Sequence, residues 1–152
     1  MGDPIDIAAL ARQGVAVIAA ARDEEHRPEV SRAWGPSLSD DGARLELCVE
    51  GAPDSTMARN LEAGNPLAVM LHLLSSFASV QLKGAVLEVG APTQDRLDAV
   101  AEHVDRFIAE TGELGVPEIL ARGLIGSDLV AVTMEVAERF DETPGSGGGR
   151  SL

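Results

Sequence analysis

The chain has 152 residues and a net charge of −13, from 25 acids against 12 bases. That field repels polyanions, and the bases are scattered arginines plus a single lysine, Lys83, with almost no aromatics for base stacking, so no nucleic-acid partner is expected. The longest apolar runs, Val15 to Ala21 and Leu67 to Leu71, are too short to cross a bilayer, and the length suits one domain. The start, MGDPIDIAALARQG, lacks the basic segment of an export signal, and the lone Cys48 can form no internal disulfide; both fit a cytoplasmic protein.

In chain order, Asp3 before Pro4 reads as the cap of a short first helix within residues 1–13, with Ile7, Leu10 and Ala11 at helical spacing and Gly14 as its stop. Val15 to Arg22 is a β-branched run that ends in the turn DEEHRP, a first strand. Glu29 to Leu38 and the alternating Arg44 to Val49, joined by Ser39-Asp40-Asp41-Gly42, read as a hairpin. Ser55 caps a short helix, STMARNLEAG, and Leu67 to His72 follows as a fourth strand. SVQLKGAVLEVG is one long strand bent at Gly84, since a glycine inside a strand suits a bulge or a barrel corner. Thr93 caps the clearest helix, whose apolar stripe is read as Leu97, Val100, Ala101, Val104, Phe107 and Ile108. The short helical segment PEILARG leads to a sixth strand, Leu129 to Phe140, and the glycine-rich residues 141–152 have too little apolar surface to fold alone, so a flexible tail is expected.

Six strands with a helix before the first and the main helix before the last predict a mainly β domain with α, a six-stranded antiparallel barrel, because closure removes exposed strand edges. The element order, with GVAVIAAARDEEHRPEVSRAWG, STMARNLEAGNPLAVML, SVQLKG and FDETPG, resembles the pyridoxamine 5′-phosphate oxidase-like family of flavin-binding split barrels. The resemblance runs from about Val15 to Gly145. It implies a homodimer with FMN in a cleft between subunits and a small-molecule substrate.

Carried over by position, the strand beside FMN matches Val30, Ser31, Arg32, Ala33 and Trp34, and Val49 matches the end of the next strand, which lines the cleft in the family. Arg32 is the candidate for the FMN phosphate, since a guanidinium grips phosphate oxygens in pairs; its alternative is a solvated surface arginine. The family's serine-any-lysine appears as Ser55-Thr56-Met57, so the usual base is missing, while the two hydroxyls remain. Taken alone, Ser55 is a plain helix cap, Asn60 a surface polar residue and Val49 a core valine. Ser79, Gln81 and Lys83 alternate onto one face of the fifth strand, a polar row able to contact a flavin or to lie solvated. The family's eponymous oxidation is not expected: there is no tyrosine, and the ending FDETPGSGGGR holds no histidine.

No side chain stands out as catalytic. His26, His72 and His103 show no metal-ligand spacing, and Cys48 within an alternating strand reads as an inert core thiol. A flavoprotein looks like this, because the cofactor carries the redox chemistry. With the family resemblance, the expected function is an FMN-binding oxidoreductase. The alternatives are a haem- or deazaflavin-binding relative, with His72 or His103 as the haem ligand, and a cofactor-free scaffold barrel, which the loss of the base at Met57 favours.

Overall fold

The computed structural model describes residues 3–145 and 147–152. Its elements follow as α1 (Ile7–Ala11), β1 (Ala16–Arg22), β2 (Pro28–Leu38), β3 (Arg44–Glu50), α2 (Thr56–Glu62), β4 (Leu67–His72), β5 (Ser79–Gly90), α3 (Gln94–Glu113), α4 (Glu118–Arg122), β6 (Leu129–Asp141) and β7 (Arg150–Ser151). Strands β3-β2-β1-β4-β5-β6 pair in that order, every pair antiparallel, and β3 also pairs with β6. That last pairing closes the expected six-stranded barrel and leaves none of the six with a free edge along its whole length.

Alternation decides what fills it. Leu67, Val69 and Leu71 of β4 point inward while Ala68, Met70 and His72 are only half-buried. They meet Leu45, Leu47 and Val49 of β3 and Val132 and Met134 of β6 in one interior cluster, and Met57 and Leu61 of α2 and Leu10 of α1 join it. A second cluster lies outside the wall, where Val100, Val104 and Phe107 of α3 cover Trp34 and Cys48. The long strand bends where expected: register shifts between Lys83 and Gly84, and a Cβ on Gly84 would sit 1.6 Å from the Glu135 carbonyl oxygen. Only glycine lets β5 and β6 approach that closely.

Three expectations change. The α1 cap is Asp6, not Asp3: its carboxylate accepts from the Ala9 amide at 2.9 Å. The buried stripe of α3 is Val100, His103, Val104, Phe107 and Thr111, so Leu97 and Ala101 fall outside it and a histidine falls within. The segment expected to be an unstructured tail folds back instead. Asp141 belongs to β6, the Gly149 amide donates to the Asp141 carbonyl at 2.7 Å, and Arg150–Ser151 pair with Phe140 and Asp141 as β7. The buried Asp141 carboxylate anchors this return through the Thr143 amide (3.0 Å) and Arg150 (3.4 Å), which hold its pKa below the usual carboxylate value.

Candidate functional site

Helix α3 covers one part of the barrel's outer wall, and the outward face of β2, β1, β4 and β5 beside it is open. Strand register sets out two rows on that face. Arg32 pairs with Ile18, Ile18 with Met70, Met70 with Gln81, and Gln81 with Phe140; the second row is Val30, Ala20, Ala68, Lys83 and Glu138. The candidate residues therefore stand at opposite margins of an apolar strip. Arg32 is at one side and Gln81 and Lys83 at the other, three strand spacings or about 14 Å away. Ile18, between them, is 38% exposed, and Val30, on the same strand as Arg32, is 60% exposed.

At the Arg32 margin a hollow of about 540 Å³ is lined by Ile18, Val30, Ser31, Arg32, Glu50 and Gly51. Glu50 is held there, because one of its oxygens accepts from the Trp34 indole N–H (2.7 Å) and the Gly126 amide (2.8 Å). Ser55 stands beside Gly51, whose added Cβ would lie 2.8 Å from the Ser55 hydroxyl oxygen, and it caps α2 by accepting from the Ala58 amide at 3.2 Å. Thr56 is exposed, and its hydroxyl accepts from Arg59 at 3.3 Å. Arg59 also donates to the Asp54 carbonyl. A guanidinium thus folds over the start of α2 although position 57 carries no base. The sequence reading missed Arg59; the signal was available, because long helical side chains lean toward the N-terminus and a base one turn in covers the first turn.

A groove of about 500 Å³ crosses one end of this face, from Arg22 and Pro28 past Ala20 and Ala68 to Lys83 and Glu138 at the other margin. The Lys83 ammonium lies 5.1 Å from the Phe140 ring centroid, a cation–π contact that holds it along this face.

Several predicted residues have no side chain to offer here. Ala33, Val49 and Met57 point into the barrel interior, and Trp34, two residues past Arg32, is buried under α3 against His103 and Phe107. Asn60 is buried, not on the surface, and lines a separate hollow with the turn residues Asp23 to Glu25. Ser79 faces outward but is covered: its hydroxyl donates to the Phe77 carbonyl at 3.0 Å and is hydrogen-bonded to His72 Nδ1.

His103 is fully buried with both nitrogens engaged. The Gly35 amide donates to Nδ1 at 3.0 Å and Nε2–H donates to the Val15 carbonyl at 2.8 Å. Burial lowers its pKa to about 4, so the ring is neutral, and its one free lone pair, on Nδ1, is taken by the Gly35 amide and closed to a haem iron. Burial likewise raises the Cys48 thiol pKa, which keeps it protonated and inert.

No protein-family model matches the chain, and no curated protein matches its sequence. Solved structures do match the fold. An F420 reductase superposes with a TM-score of 0.59 at 14% identity, over 90% of this chain and 98% of the other. A proposed pyridoxamine 5′-phosphate oxidase from Lactobacillus delbrueckii superposes with 0.55 at 13% identity, over 90% and 93%. HutZ, the haem storage protein of Vibrio cholerae, superposes with 0.51 at 17% identity, over 90% and 92%. The protein is a split β-barrel, and its fold is the one shared by the pyridoxamine 5′-phosphate oxidase-like proteins. No helix among the described residues is long and apolar enough to cross a membrane.

Proposed function

We propose that two copies of the chain meet across the apolar strip and hold FMN at its margins, as an oxidoreductase acting on a small molecule. The separation of Arg32 from Gln81 and Lys83 carries this reading. In one subunit about 14 Å of apolar surface divides them. A twofold contact across the strip brings one subunit's Gln81 and Lys83 toward its partner's Arg32, and the same contact buries Ile18 and Val30.

The hollow suits the cofactor in size and in donors. Its 540 Å³ lies within the usual range of ligand sites, Arg32 supplies a guanidinium for the phosphate, and the adjoining Ser55 supplies a hydroxyl. Arg59 offers the charge that Met57 lacks. Glu50 lines the same hollow and its negative charge opposes an anion there, while the Trp34 and Gly126 donors to one of its oxygens fix its position. When bound, the flavin supplies hydride or electron transfer. The chain's task is to bind and orient it and to exclude water. Lys83, held by Phe140, favours negative charge at the opposite margin.

The test is the visible spectrum of protein purified without added cofactor, followed by FMN titration with flavin fluorescence as the readout. A yellow protein, or saturable quenching that Arg32→Ala weakens, supports the reading. A colourless protein that no flavin titrates overturns it. A Soret band supports instead a haem reading with His72 as ligand, which the likeness to HutZ favours. Binding of F420 in preference to FMN points to the deazaflavin reading, which the likeness to an F420 reductase favours.

A further inference from the structure

A groove of about 430 Å³ runs between α1, the end of β2 and α3, and it shares no lining residue with either hollow of the outer face. Arg12 and Arg106 both line it, and in a chain with twice as many acids as bases neither forms an ion pair among the described residues. The Arg106 Nε is buried with no acceptor among those residues. Arg106 thus brings to the groove a positive charge that no carboxylate of the described residues pairs with. Ser37 adds a second donor: its oxygen accepts from Arg96 at 3.0 Å, which leaves its hydroxyl proton for another partner.

The groove is built rather than incidental. A Cβ on Gly14 would lie 2.3 Å from the Arg106 carbonyl oxygen, so α3 docks directly on the turn after α1 and fixes where Arg106 starts. Arg96 further ties α3 to the end of β2 by donating to the Gly35 carbonyl at 3.1 Å.

We propose that this groove binds a small monocarboxylate with an apolar body. The charges that face it are Arg12, Arg106 and one opposing carboxylate, Glu102, which sum to a single positive charge. A monoanion balances that sum, and a dianionic phosphate exceeds it beside Glu102. The planar carboxylate fits guanidinium N–H geometry, and Ala11 and Leu38 give the apolar body a wall.

The experiment is calorimetric titration of the full chain with butyrate, with inorganic phosphate and butylammonium as parallel probes. Saturable butyrate binding is expected, at least about tenfold weaker in Arg106→Gln and Arg12→Gln, from the loss of charge-assisted hydrogen bonds. Binding several-fold tighter in Glu102→Gln is expected, because an opposing charge is removed. Arg12 and Glu102 are exposed, so their variants decide the matter if Arg106→Gln does not fold. Unchanged butyrate affinity in Arg32→Ala separates this site from the flavin reading. No saturation by butyrate, saturation by phosphate alone, or binding indifferent to Arg12→Gln and Glu102→Gln would overturn the proposal.

Discussion

Arg32 and Gln81 occupy one cross-strand row of the barrel's outer face, with Ile18 and Met70 between them. Residues in that relation cannot grip one end of a ligand from the same subunit. Arg32→Ala is expected to weaken FMN binding roughly 10- to 100-fold, the worth of a charge-assisted hydrogen-bond pair. Gln81→Ala with Lys83→Ala should weaken it as well. Mixing the Arg32 variant with the Gln81/Lys83 variant then restores a wild-type-like site in the heterodimer, read as recovered fluorescence quenching; a site within one subunit shows no recovery.

Val30→Glu places a charge on the exposed apolar strip. Sedimentation equilibrium should report a dimer for the unaltered chain and a monomer for the variant, with unchanged circular dichroism, since Val30 contributes nothing to either buried cluster. A variant that stays dimeric rules out this face as the interface.

Protonation of His103 gives a pH dependence with a definite sign. Its folded pKa of about 4 lies below the ordinary 6.5, so between those values the unfolded chain binds more protons. Stability is full above pH 6.5 and falls by about 3 kcal/mol as the pH drops to 4. Asp141, whose pKa is lowered, adds its own loss only below the usual carboxylate value of 3.8. Urea melts from pH 7.5 to 4 should show the slope. His103→Gln should lose stability at neutral pH and flatten that slope.

Gly84→Ala drives a methyl group into the Glu135 carbonyl, which cannot move without breaking the β5–β6 ladder. A loss of about 2 kcal/mol or more is expected, seen as a lower Tm.

Trp34→Phe removes the indole donor from Glu50 and should cost about 1–3 kcal/mol. Because Trp34 is the single tryptophan and is buried, its emission is expected to be blue-shifted in the folded chain and to shift red on unfolding.

Much of the fold was legible in local pattern. Alternation in Leu129 to Phe140, the short apolar run from Leu67, the cap at Thr93 and the glycine at position 84 each carry their own geometry, since strand period, capping and close approach depend on near neighbours. Local pattern also placed Gln81 and Lys83 on one face. It did not place Arg32 opposite them, turn Trp34 under a helix, bury His103 between Gly35 and Val15, or bring Arg59 over Thr56. Nor did it join Arg12 to Arg106, residues 94 positions apart in the chain. Those relations depend on which strands become neighbours and where α3 lies against the wall. Barrel closure and helix docking decide them over distances that local periodicity does not encode, and so the sequence determined the elements other than β7 while the tertiary structure decided which side chains share a surface.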